Sequence, residues 1–256
     1  MKKNRDPWGK VQKSSSLSRH RPGIIREPAR RCLIVCEGKK TEPNYFRNLR
    51  SFLRISTISV DIAPNDTGSD PLSVVRKANE LFKKAKRDRN PYDAVFCVFD
   101  RDTHQTYPAA ISMIDELKRS GKSFEAIDSN PCFEYWILLH FCYVRRPFLQ
   151  TGTISLCGSV EKELKRHLPR YEKGIKDLFD VLHDKTPTAL ANATKANDDA
   201  ENTGQDNPST RVPLLFENLR TFFPQEFSGM FPPNLRQIFG PDNRRLRNDT
   251  DQKQQD

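Results

Sequence analysis

The chain predicts an α/β fold, a mainly parallel β-sheet flanked by helices and followed by a helical C-terminal extension. Three observations carry this. Short apolar runs of strand length alternate with segments of helical periodicity. The runs are nearly continuous in apolar residues, as strands buried on both faces must be. The intervening segments are long enough to cross over and return the chain parallel.

In order, residues 31–36 (RCLIVC) form the first run, unbroken after its arginine. Residues 41–53 have helical spacing, with Thr41 placed to cap and Pro43 near the first turn. Residues 55–63 (ISTISVDIA) read as a second strand. Residues 71–86 predict an amphipathic helix with Leu72, Val75, Ala78, Leu81, Phe82 and Ala85 on one face. Residues 93–99 give the third strand, 109–117 a helix and 123–127 a fourth strand. Next comes the apolar segment PCFEYWILLHF. Beyond residue 145 the spacing predicts helices over 160–168, 173–183, 188–202 and 210–221, the last capped by Ser209. Its Val212, Leu215, Phe216 and Leu219 make an apolar stripe suited to core packing. Residues 198–208 read mostly as loop, 222–240 are rich in Pro and Phe, and 241–256 have the composition of disorder. The expected organisation is an arm over 1–30, an α/β domain over 31–145, a mostly helical part over 146–222 and a tail over 223–256.

With 256 residues, 36% hydrophobic and 30% charged, the chain has the balance of a globular protein with polar extensions. No apolar run approaches the roughly 20 residues of a membrane span, and the first residues lack a signal peptide's apolar stretch, so the expected location is the cytoplasm. The net charge of +10 is uneven: residues 1–31 hold ten Lys or Arg against Asp6 and Glu27, a net +8. Such an arm either binds phosphate backbones or acts as a solubilising tail. The six cysteines include no CxxC pair, so no paired-thiolate zinc motif is present, and they read as buried thiols, with Cys157 standing apart.

The informative residues lie where strands end. The first strand runs into Glu37-Gly38 and the third into Asp100-Arg101-Asp102; Glu134 follows the fourth, near the start of the apolar segment. In open parallel sheets, ligands bind outside the carboxyl ends of strands. Taken singly, an Asp after a strand caps a helix or makes a turn, Gly38 supplies positive φ, and loop lysines are simply solvated. Taken together, Glu37, Asp100 and Asp102 repel one another unless protons or a divalent cation intervene. Oxygen-only ligands favour Mg²⁺ or Mn²⁺. GKKT at 38–41 is no P-loop, because Leu33 and Lys40 stand where that motif needs Gly and Ser/Thr. Arg101 points away from the aspartates if the strand continues. His140 reads as a core histidine.

LIVCEGKKTEPNYF (33–46), VFCVFDRD (95–102), SNPCFEYWILLHF (129–141) and NPSTRVPLLFENL (207–219) together resemble the RloB family. The resemblance implies a Toprim-like fold, with Glu37 as its glutamate and Asp100 and Asp102 as its DxD pair. A further acidic residue is expected after DxD; Thr103-His104 offers none, and Glu134 takes that place. The implied activity is a Mg²⁺- or Mn²⁺-dependent nuclease of bacterial anti-phage defence, partnered by an AAA-type ATPase (RloA-like). Catalysis would fall to Glu37, Asp100, Asp102 and Glu134, and phosphate binding to Lys39 and Lys40. The alternative is a non-catalytic Toprim-fold accessory or sensor subunit of the ATPase complex. RNA, including tRNA, and DNA both remain open as substrates.

Overall fold

Alternation along the central strands sets the architecture of the computed structural model, which describes residues 30–62, 70–101 and 104–228. The strands β1 (Cys32–Cys36), β2 (Ile58–Ile62), β3 (Ala94–Asp100) and β4 (Phe124–Asn130) are parallel, and a short β5 (Ser209–Thr210) adds antiparallel to β4. The spatial order is β2-β1-β3-β4-β5.

Cys32, Ile34 and Cys36 of β1, with Phe96 and Val98 of β3, face one apolar layer. Leu33 and Val35, with Val95, Cys97 and Phe99, face the other. That second layer is closed by α2 (Pro71–Arg87) and α3 (Tyr107–Arg119), through Val74, Val75 and Ala78 and through Ala110, Ile114 and Leu117. Asp70 caps α2 by accepting from the amides of Leu72 and Ser73. The first layer is larger. It takes α1 (Thr41–Phe52), α4 (Phe133–Leu138), α5 (Leu156–His167), α6 (Leu178–Leu182), α7 (Thr186–Thr203) and α8 (Val212–Phe222). Val212, Leu215, Phe216 and Leu219 of α8 are all buried in it, so the predicted stripe is core.

Several predicted boundaries move. Thr41 is the first residue of α1 rather than its cap, because its hydroxyl accepts from the Gly174 amide at 3.1 Å. Ser209 belongs to β5, and Arg211 precedes α8. The helix expected over 173–183 is confined to α6, since Gly174 turns the chain at φ +88. A β-carbon there would also meet the Lys40 stem at 2.7–2.8 Å. The segments 1–29, 63–69, 102–103 and 229–256 lie outside the described residues, and with them the basic arm up to residue 29 and the tail from residue 229; Phe223 and Phe227, expected in the tail, are buried in the larger layer.

This order decides where a ligand can enter. The chain leaves β1 through α1 on one face to reach β2, and returns through α2 on the other face to reach β3. Helices departing to opposite sides open a crevice at the carboxyl ends of β1 and β3. No described helix is long and apolar enough to cross a membrane.

Candidate active site at the strand tips

The crevice between β1 and β3 is lined by carboxylates. Glu37 follows β1, and its amide extends the ladder by donating to Val98 O at 2.9 Å. Its side chain turns back to β3: Oε2 accepts from the Asp100 amide at 3.0 Å, and Oε1 lies 3.3 Å from Nε2 of His104. Asp100, the last residue of β3, shares strand parity with Phe96 and Val98, so it emerges on the larger layer. Its Oδ1 accepts from the Phe133 amide at 2.9 Å, which ties the β3 tip to the start of α4.

Glu134 is one residue further into that helix and 3% exposed. Its Oε1 accepts from the Tyr171 hydroxyl at 2.9 Å and lies 3.7 Å from Nζ of Lys173, which in turn pairs with Glu161 at 2.9 Å. The residue before α4 is Cys132; Asn130 is still strand. Glu134 therefore sits closer to the helix start than an Asn130 cap would put it.

A fourth carboxylate, Glu42 in the first turn of α1, completes the group. It is 7% exposed and folds over Gly38, where a β-carbon would collide with both of its carboxylate oxygens. A side chain at position 38 would displace the Glu42 carboxylate from this place; the Gly38 backbone is not in the positive-φ region that the turn reading supposed.

These residues line one pocket of about 260 Å³: Glu37, Gly38, Lys39, Lys40, Thr41, Glu42, Asp100, Glu134 and Lys173. Lys39 and Lys40 are exposed at its mouth. Burial, with the charges of Glu42, Glu134, Cys157 and Glu37, pushes the Asp100 carboxyl well above the usual range. Burial likewise raises Glu42 to about 7; Glu134 and Glu37 add to the rise, while its own backbone amide and Lys173 oppose it. For Lys173, burial works against the charge, but Glu134 and Glu161 outweigh it and hold the ammonium above its ordinary value.

Of the sequence-predicted site residues, Glu37, Asp100, Glu134, Lys39 and Lys40 meet here. Asp102 lies outside the described residues. Arg101 faces away, as its parity requires: it pairs with Asp206 and lies 4.9 Å from the Tyr107 ring. His140 is a core residue, its Nδ1 3.0 Å from Trp136 O, and burial lowers it to about 4. Sequence reasoning passed over Glu42, although it stands inside EGKKTEP beside the residues singled out. It had no signal for Tyr171 or Lys173, which arrive from the loop before α6. It also set Cys157 apart, whereas α5 brings its sulfur against Cys132 and Asp100.

A family model described as RloB-like protein matches residues 32–219, and the chain belongs to that family. No curated protein and no solved structure matches the chain.

Proposed function

We propose that this chain is a metal-dependent nuclease that hydrolyses phosphodiester bonds in RNA, tRNA among the candidates, or in DNA. The observation that carries the reading is the meeting of four buried or part-buried carboxylates around one pocket at the β1 and β3 tips. Such a set is unfavourable in isolation, and the raised Asp100 and Glu42 carboxyls express that cost. An all-oxygen donor set fits a hard cation, Mg²⁺ or Mn²⁺. Glu37 and Asp100 would hold it, with Asp102 two positions along the chain as a third ligand. When bound, such an ion polarises a phosphoryl oxygen and makes water a better nucleophile.

The chain's own groups do the rest. Lys39 and Lys40 meet the phosphate charge at the mouth. Glu134, steered by Tyr171 and Lys173, orients the attacking water. Glu42, lining the same pocket beside Glu37 and Glu134, is placed to take the proton that this water gives up. The role in anti-phage defence and the control by an AAA-type ATPase follow from the family resemblance.

The test is cleavage of RNA and DNA by the purified full-length chain with Mg²⁺, with Mn²⁺ and with chelator, each with and without the ATPase. Metal-dependent cleavage lost on chelation supports the reading. No cleavage in any arm overturns it in favour of the accessory subunit.

A further inference from the structure

Two thiols border the carboxylate pocket and have no part in a magnesium reading. Cys132 immediately precedes α4 and is fully buried; Cys157 lies in the first turn of α5, which packs on α4. The Cys132 and Cys157 sulfurs and an Asp100 carboxylate oxygen lie within 4.8 Å of one another. We propose that Asp100, Cys132 and Cys157 form a site for a borderline-soft divalent cation of the zinc class, and that this cation competes with the hard ion of the carboxylate cluster for Asp100.

The geometry and the chemistry agree. Zinc–sulfur bonds of about 2.3 Å and zinc–oxygen bonds of about 2.0–2.2 Å, set tetrahedrally, place ligand atoms roughly 3.5–3.8 Å apart. The observed separations, all within 4.8 Å, are of that order. Thiolates select zinc over magnesium, whereas carboxylates alone do not. A water supplies the fourth position. One Asp100 oxygen already accepts from the Phe133 amide, so zinc at the thiols would draw on the same carboxylate that the proposed hard-ion site needs. Binding stands by itself; inhibition rests on the nuclease reading.

Co²⁺ added to the reduced full-length chain is the probe. One equivalent should produce thiolate-to-cobalt charge-transfer absorption in the near ultraviolet, and Zn²⁺ should abolish it. Cys157→Ser, a change at a partly exposed position, should reduce that absorption. It should also weaken Co²⁺ binding at least about tenfold, the lower end of what losing even an outer-shell partner costs a metal site. Asp100→Asn should weaken affinity while keeping the charge-transfer band. Cys142→Ser should change neither, because its sulfur lies 3.4 Å from His167 Nε2, in a separate place. The proposal is overturned by a wild-type chain without the band, or by a folded Cys157→Ser chain with wild-type spectrum and affinity. Zinc should inhibit cleavage by the wild type more than by Cys157→Ser. If the wild type cleaves nothing, the nuclease reading fails while the cobalt spectra still decide the site.

Discussion

Two groups of acidic side chains stand near the same edge of the sheet and are held in opposite ways. At the β4 end, Asp128 accepts from the Tyr107 hydroxyl at 3.0 Å, and Nε of Arg211 lies 3.4 Å from its other oxygen. Nearby, Asp206 pairs with Arg101 and accepts from the Asn130 amide at 3.3 Å. Each carboxylate there comes with a cation of its own. At the β1 and β3 tips, Glu37 has His104 at 3.3 Å, but Glu42, Asp100 and Glu134 crowd beside it, and Lys173, paired also with Glu161, reaches Glu134 from the side. Carboxylates that serve the fold are brought to their counter-charges. A cluster that has collected like charges instead is shaped for something that arrives from outside.

The largest test of that contrast exchanges the two aspartates. Asp100→Asn keeps an oxygen for the Phe133 amide and removes the charge. It should cut divalent-ion binding and cleavage by at least about a hundredfold, in the range of lost acid–base or ligand groups. Apo stability should hold or rise, because a crowded charge is gone. Asp128→Ala should do the reverse. Leaving the part-buried Tyr107 hydroxyl without its acceptor should cost about 1–3 kcal/mol in denaturant unfolding, with metal affinity unchanged; Arg211, 56% exposed, turns to water. A destabilised Asp100→Asn chain would mean the two groups are not different in kind.

Glu134→Gln comes next. The amide still accepts from Tyr171, but Lys173 loses one of its two partners. Cleavage should fall by about ten- to a hundredfold, with the melting temperature nearly unchanged. Near-wild-type turnover would make Glu134 an anchor for Tyr171 and nothing more.

What the sequence made legible follows physical range. Strands and their parity show locally, so Glu37 and Asp100 could be put at adjoining tips and Arg101 turned away. Glu134 was reachable only through its motif, because the short α4 starts after Cys132 rather than after Asn130. Glu42 was hidden by its company: a glutamate beside Pro43 in a first helical turn reads as ordinary dipole stabilisation. Tyr171, Lys173 and Cys157 could not be found at all. They depend on how α5 and the loop before α6 fold back over α1 and α4, a tertiary contact with no spacing rule.

A subtler difference between the groups is their response to pH. Glu42 in the folded chain is raised to about 7 from an ordinary 4.5. Between those values the folded chain binds the extra proton, so its contribution is full below about 4.5 and is lost as pH rises through about 7. At about 1.4 kcal/mol per unit, the ceiling is roughly a few kcal/mol. In chelator, Glu42→Gln should therefore gain stability relative to wild type as pH climbs through this window, and Mg²⁺ should narrow the gap by favouring the ionised cluster. A constant difference across the window would remove Glu42 from the crowded set.

The smallest effect belongs to Lys173. Its side chain is 57% exposed, so its pairs with Glu134 and Glu161 contribute little to stability, and Lys173→Met should change unfolding free energy by less than about 1 kcal/mol. Its charge nevertheless reaches Glu42 and lowers that carboxyl's proton affinity. Removing the ammonium should let Glu42 rise further, so the metal-free decline, which still begins near 4.5, should extend to higher pH and deepen, and its midpoint should move upward. Lys118, paired with Glu125 at 2.7 Å on the surface away from the pocket, is the control. Lys118→Met should leave the midpoint where it was. Equal shifts in the two variants would reflect net charge alone, and would mean that Lys173 is no more part of the cluster than any other surface lysine.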